Sequence, residues 1–561
     1  MNTFVHPVTR IALFTLAVLV FGSILCAQAD PAATEGQSHS SGNVAPGVPA
    51  PAPDFQALTR QATSGSTQGV SRTAFQAIAY YLEAIQPNQG VIVWMAFLVT
   101  VMVAADFTGL RSRRNLDLAL LLLPTFLFVD IIRFASDGAV RDPKKFFMAG
   151  IIFTGVFLAT GAVAVRAVIG ARWPSEAWTP NLPAAVLSAM LAVLLASNVL
   201  VAVNRTPDDC GIFTNIGAAR MLETGKWPYG DVKLRDGAAA TYGPVLYLAH
   251  MQFQAALSAA GWATTHDSRT GVPLPPVLAT KLVALAFHLL LVGCLVIVGR
   301  KLGGPAVGFG LACLYAGSAY VQGLGGTTHF INGMGYVSHI TPAALTLAAL
   351  ALIHRPFWSG VMLAVATCAI FFPAFFFPVF FGYYFWRGSW KGPEWRKFAA
   401  GFVLLCALTG SSVLLLTDST AGESALHAVY QSTVGHQEGK HGYGSSAFSF
   451  WGTHPRLSAF WQEPFISNWY LLKPAFLLFA AFLASTLFLA RERSVPQLAC
   501  LIAAVAASIQ LWKSHAGGTY VEWYLPFLLI GLFASSSTAA PPRQIAVSSE
   551  SLDKESARVA I

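Results

Sequence analysis

The chain has 561 residues, 55% of them hydrophobic and only 11% charged, with a formal net charge of +9. Soluble globular domains carry about 25% charged residues, so the composition excludes an ordinary soluble protein and points to a polytopic membrane protein. The surplus of cations is no nucleic-acid footprint, and no nucleic-acid partner is expected. Most of them sit in short stretches between apolar blocks, as the positive-inside rule requires.

Residues 1–29 read as a signal peptide or a first anchor: Arg10, a short apolar stretch, then Ala27-Gln28-Ala29 as small residues before a cleavage point. Leu25 before Cys26 argues against a lipoprotein signal. Residues 30–88 are rich in Ala, Pro, Gly, Ser and Gln, the composition of a flexible extracytoplasmic tether. Apolar runs of about 18 residues or more read as membrane helices. They predict spans near 89–108, 116–134, 147–169, 182–203, 277–299, 303–323, 339–354, 357–385, 398–417, 473–490, 495–512 and 524–537. Pro373 and Pro378 break the 357–385 block, which predicts two short helices forming a hairpin.

With residue 88 outside, alternation places Arg111, Arg113, Arg114, Arg172, Arg300, Lys301, Arg355, Arg387, Lys391, Arg396, Lys397, Arg491 and Arg493 in the cytoplasm. That agrees with the positive-inside rule; Arg141, Lys144 and Lys145 break it. The same threading puts two long loops outside, 204–276 and 418–472, and a cytoplasmic tail at 538–561. Chemistry is therefore expected at the outer face. The cysteines show no disulfide or metal spacing.

The first outer loop opens with PDDCGIFTNIGAARMLETGKWPYGDV, residues 207–232. A helix from Asp208 to about Glu223 is predicted, ended by Gly225, with Ile212, Phe213, Ile216, Ala219 and Leu222 as an apolar face that would lie on the membrane. A second helix runs from Pro244 to before Gly261. One acid suffices to cap a helix; Asp208 and Asp209 are two.

The pattern Asp209-x-Gly211-x-Phe213, Ile216-Gly217, then Leu222-x-x-Gly225-x-x-Pro228-Tyr229-x-Asp231-Val232 resembles the first outer loop of GT-C glycosyltransferases. It is similar to dolichyl-phosphate-mannose protein mannosyltransferases and the lipid A aminoarabinose transferase. The resemblance implies an all-α GT-C-like transmembrane helix bundle over 182–537 with outer-face juxtamembrane helices, and residues 89–181 as a three-span N-terminal extension. It implies an inverting enzyme on the periplasmic face of a bacterial inner membrane. The donor would be a polyprenyl-phosphate-linked sugar and the acceptor a glycan, lipid or protein.

Such a reaction needs a base for the acceptor hydroxyl and a cation or dipole for the departing phosphate. By family position Asp209 is the candidate base. Asp208 assists it, by capping or by holding a divalent ion (Mg or Mn), for which no firm ligand set is visible. Asp231 and Tyr229 belong to the turn that would meet substrate, and Asp231 also fits a plain turn aspartate. Arg205, Arg220, Lys226, Lys233 and Arg235 are nearby cations, of which Arg235 is preferred for phosphate.

Three further polar islands follow. LGGTTHFINGMGYVSH offers His329, Asn332 and His339, in a glycine-rich turn that would equally be plain interface. Where related chains often carry a lysine near the bend of the 357–385 block, this chain has IFFPAFFFP and no cation. In the second outer loop His427, His436, His441 and His454 fit no standard zinc spacing. Finally, WKSHAGGTYVEWYLPF resembles the last outer loop of the GT-C fold; Lys513 or His515 would supply the missing cation, and Tyr520 would face substrate. The rivals are a transporter or flippase, a surface-polysaccharide ligase or polymerase with its key residues in 418–472, and a degenerate GT-C-like protein with a scaffold role, which the missing lysine would fit. Against the transporter, no internal repeat is visible, and ionisable residues cluster at span ends, with Asp117, Asp130, Lys281 and His288 as partial exceptions.

Overall fold

The computed structural model describes residues 89–109, 111–122, 143–173, 178–204, 207, 209–236, 239–268, 270–323, 336–387, 392–417, 423–435, 469–512 and 520–534. The leader, the tether, the tail and the bulk of the second outer loop lie outside these. So do Arg205, Asp208, His329, Asn332, Lys513 and His515, and so does most of the span expected at 116–134.

The described chain is a helical membrane protein. Its helices are α1 (Gln89–Ala104), α2 (Pro143–Arg172), α3 (Ala184–Asn204), α4 (Asp209–Thr224), α5 (Val232–Asp236) and α6 (Pro244–Ala259). Then come α7 (Leu278–Gly303), α8 (Pro305–Ala316), α9 (Val337–Ala351), α10 (Pro356–Ala369), α11 (Phe377–Arg387) and α12 (Glu394–Leu416). The series closes with α13 (Ala425–Tyr430), α14 (Trp469–Leu489), α15 (Val495–Trp512) and α16 (Leu525–Phe533). Five helical segments are long and apolar enough to cross a membrane: Thr154–Arg172 within α2, Ala184–Val203 within α3, and α7, α12 and α15. Among the described residues a two-residue antiparallel pair interrupts the helices, Thr265–His266 with Pro273–Leu274. Gly271, at φ +67°, turns the chain between them.

The span expected at 303–323 is shorter, with helix only to Ala316 and turns over 317–323. The 357–385 block is the predicted hairpin: α10, a tight turn at Phe372–Phe376, then α11. Proline lacks an N–H, so it is tolerated in a turn or in the first helical turn, which is where Pro373 and Pro378 fall.

At the centre lies α15, buried from Leu498 to Ala507. α2 packs along it, with Gln497 Nε2 donating to Ala171 O at 3.1 Å. Small residues let membrane helices approach closely. A Cβ on Gly360 would meet Phe398 O at 2.1 Å and one on Gly401 would meet Phe357 O at 2.2 Å, which holds α10 against α12. The rest of α12 faces outward, with Val403, Leu404, Leu408 and Leu415 exposed as a lipid-facing stripe.

Gly243 joins the loop layer to the bundle. Its N–H donates to Ala369 O at 3.1 Å, and a Cβ there would lie 2.2 Å from Cys368 O and 2.5 Å from Ala369 O. Both neighbours are backbone and cannot swing aside. Gly243→Ala is expected to destabilise the protein by about 1–3 kcal/mol through overpacking, read as a lower melting temperature in detergent. Gly410→Ala is the control. Nothing lies within 4 Å of that position, and alanine favours helix over glycine by about 1 kcal/mol.

Candidate functional site

α3 ends at Asn204 and α4 begins at Asp209. The start of α7 is stapled to α4. Thr280 Oγ1 donates to Gly211 O at 3.2 Å, and Asn215 Nδ2 donates to Pro276 O at 3.1 Å. Gln254 of α6 braces Asn215, its Nε2 donating to Asn215 O at 2.7 Å. Lys281, the next residue of α7, donates from Nζ to the carbonyl of Val203 in the last turn of α3. Asp209 is thus the first helical residue at a junction fixed by two span ends.

Along α4, Ile216 and Ala219 of the apolar face are buried together with Thr214, Asn215 and Ala218, while Leu222 is 47% exposed. At Gly217 a Cβ would stand 2.5 Å from the Tyr247 ring, so glycine lets α6 lie against α4. Gly225, at φ +69°, ends the helix as predicted.

The turn after α4 is an interior structure. Tyr229 is buried, and its hydroxyl donates to Tyr242 O at 2.7 Å. Its ring packs with those of Trp227 and Tyr247 at centroid distances of 6.4 and 6.0 Å. Burial pushes the Tyr229 phenol well above its ordinary range. These contacts make Tyr229 a packing residue, not a surface that substrate can touch. Asp231 accepts from Arg220 Nε at 3.0 Å and from the N–H of Lys233 at 3.0 Å, the first turn of α5. Arg220 also approaches Glu223 at 3.5 Å, and Glu223 meets His266 at 2.8 Å.

Arg235, the preferred phosphate partner, forks instead onto both oxygens of Glu423, at 3.2 and 3.0 Å. Lys233 Nζ donates to Thr270 O at 3.1 Å. The end of α12 and the segment after it cover this turn. Trp227 N donates to Leu416 O at 3.0 Å, Trp227 Nε1 to Ser412 O at 3.1 Å and Ser432 Oγ to Tyr229 O at 2.9 Å.

His250 on α6 supplies a pH handle. It is fully buried, and its Nδ1 lies 2.8 Å from Leu246 O, so that nitrogen carries the proton of the neutral ring. Burial lowers its pKa from 6.5 to about 4. Between those values the unfolded chain binds a proton that the folded chain refuses. This contribution is therefore full above pH 6.5 and falls as pH drops toward 4, at roughly 1.4 kcal/mol per pH unit. Melting curves from pH 7.5 to 4.5 should show the loss, and His250→Gln should flatten that slope.

A second polar centre lies at the same end of the bundle. His339 in the first turn of α9 places Nδ1 3.3 Å from Glu522 Oε2, and the two side chains are 3% and 0% exposed. Glu522 Oε1 has no partner among the described residues. Tyr520 is not turned to an open pocket. Its backbone is gripped by Gln510 through two 3.0 Å bonds, and its ring joins a pile in which Tyr336, His339, Tyr520, Trp523 and Phe372 follow one another at centroid distances of 3.7 to 4.5 Å. Sequence reasoning passed over Glu522. The signal was a lone acid among aromatics beside an apolar helix, which is expensive in a membrane and so marks a specific role.

Among the described residues, no three His, Cys, Asp or Glu side chains gather as metal ligands. No family model matches the chain, and neither curated proteins nor solved structures show a significant similarity to it.

Proposed function

We propose that the protein is an integral-membrane glycosyltransferase. It moves a sugar from a polyprenyl-phosphate carrier to an acceptor hydroxyl at the outer face of a bacterial inner membrane. The observation that carries this reading is the bonding of α4 to the start of α7. The acid of the Asp-x-Gly-x-Phe pattern opens a helix whose first turns are bonded to the start of α7 through Thr280 and Asn215. A base is useful only if it is held in register with its substrate.

A lipid-linked-sugar flippase is the second reading. Its support is a polar seam inside the bundle: His288 Nε2 lies 3.0 Å from Asn198 Oδ1, and Ser197 Oγ donates to Gln322 Oε1 at 2.9 Å. Mass spectrometry of envelope glycans and polyprenyl-phosphate sugars, with and without the chain, separates the two. The transferase reading expects a missing glycan mass and a lipid-linked sugar accumulating in the outer leaflet. Accumulation confined to the cytoplasmic leaflet would favour the flippase, and an unchanged envelope would sink both.

A further inference from the structure

We infer that the corner where α2, α11 and the α14–α15 turn meet binds the headgroup of an anionic phospholipid, held chiefly by Arg172 and Arg493. This site stands apart from the loop layer. The α10–α11 bend lies against that layer through the bond from Gly243 N to Ala369 O. α11 runs away from the bend, so Arg387 at its end marks the opposite face of the bundle.

Three segments bring arginines to the corner. Arg172 is the last residue of α2, and Gln497 fixes that end against the start of α15 through its 3.1 Å bond to Ala171 O. Ser494 steadies Gln497, its N–H and its hydroxyl both donating to Gln497 Oε1 at 3.1 Å. The chain reverses just before this point, where Glu492 takes φ +54°. Arg493 donates from Nε to Leu489 O at 2.8 Å, which uses one of the five donors of a guanidinium. Arg491 stands 5.3 Å over the Trp386 ring, and Trp386 Nε1 donates to Leu487 O at 2.7 Å, tying α11 to α14.

A cation at the C-terminal end of a helix is favoured by the helix dipole, and that accounts for each arginine singly. It does not account for two of them meeting. Burial first, and then the like charge of Arg172, hold the Arg493 guanidinium below its ordinary range, and Glu492 opposes them. Glu492 itself lies 3.6 Å from Arg491. Like charges kept together repel, and a bound anion relieves that repulsion. Arginine suits a phosphate oxygen pair, which it meets with two parallel N–H groups.

The surface beside the charges says what carries the anion. Leu158, Val165 and Ile169 form an exposed apolar stripe on one face of α2, and it ends at Arg172 and an exposed Trp173. Phe488 is also exposed, its ring 5.9 Å from that of Trp386. Tryptophan marks the level where bilayer meets water, and basic pockets between helix ends at that level suit anionic headgroups. The matching ligand is an amphiphile, with its phosphodiester between the arginines and its acyl chains along the α2 stripe.

The test uses the purified full chain in detergent with added lipid, read by native mass spectrometry. Phosphatidylglycerol is the probe and phosphatidylcholine its zwitterionic control. Wild type should retain phosphatidylglycerol in preference. Arg172→Gln/Arg493→Gln should lose roughly 5-fold in that preference for each arginine removed, and Arg172→Lys/Arg493→Lys should keep most of it. Arg172 is exposed, so Arg172→Gln alone carries the test if losing the bond to Leu489 O unfolds the double variant. Lys301→Gln, which removes a charge from the last turn of α7, should behave as wild type. Unchanged preference in folded Arg172→Gln overturns the inference. So does an equal loss in Lys301→Gln, which would make the preference one of overall charge. Displacement of the lipid by inorganic phosphate as readily as by phosphatidylglycerol also overturns it, because the acyl chains would then contribute nothing.

Discussion

Asp209→Asn is expected to remove the glycan product as completely as loss of the whole chain, at matched protein abundance. A positioned general base contributes about 10²–10⁴-fold, or roughly 3–5 kcal/mol of barrier. Asparagine keeps the size of the side chain and its fitness for a helix start. The helix-dipole contribution forgone is about 0.3–1 kcal/mol, too little to unfold a helix braced by Thr280, Asn215 and Gln254. Glu223→Gln is the matched control, because Glu223 lies at the other end of α4, where its partners are Arg220 and His266. The readout is mass spectrometry of envelope glycans and of the lipid-linked sugar, which should accumulate in the Asp209 variant alone. If Asp209→Asn matches wild type, the acids at 208 and 209 serve as a helix cap.

Glu522→Leu is expected to be the most destabilising of the single changes proposed. Glu522 is 0% exposed and stands 3.3 Å from a histidine that is 3% exposed. Removing one member of a buried pair typically costs about 3–5 kcal/mol, because the other polar group is left without its partner in a low-dielectric interior. Replacing both by apolar groups of similar shape can be nearly neutral. The double variant Glu522→Leu/His339→Phe should therefore recover most of the loss, with the phenyl ring taking the place of imidazole between Tyr336 and Tyr520. Thermal unfolding in detergent gives the cycle. A Glu522→Leu protein as stable as wild type, or a double variant no better than the single, would show that the pair is not what holds α9 to the segment before α16.

Local punctuation was legible from residues alone. Pro244 begins α6, Gly225 ends α4, and two prolines break the 357–385 block into a hairpin, because proline and glycine act through their own backbone geometry. What stayed hidden were meetings across the chain. Arg235 finds Glu423 188 residues away, and His339 finds Glu522 183 residues away. No periodicity marks such partners, and an arginine beside acids in sequence reads the same whether it awaits a phosphate or a carboxylate. α4 shows the same limit: its apolar residues were legible, but not the close approach of the Tyr247 ring to Gly217 that lets α6 lie against it. Lys281 was read only as a charge within a span, because nothing in sequence says that it bonds to Val203 in the last turn of α3.

The clasp between the aromatic turn and α12 bears on how the protein is made. Trp227 bonds to Ser412, 185 residues later in the chain. Ribosomes add about 5–20 residues per second, so the aromatic turn must wait on the order of 10–40 s after its own synthesis before its cover exists. During that interval Trp227 and the Tyr229 backbone lack the partners that later enclose them. Newly made protein is therefore open to proteases and chaperones at this turn, and substitutions there should lower yield before they lower the stability of molecules that have matured.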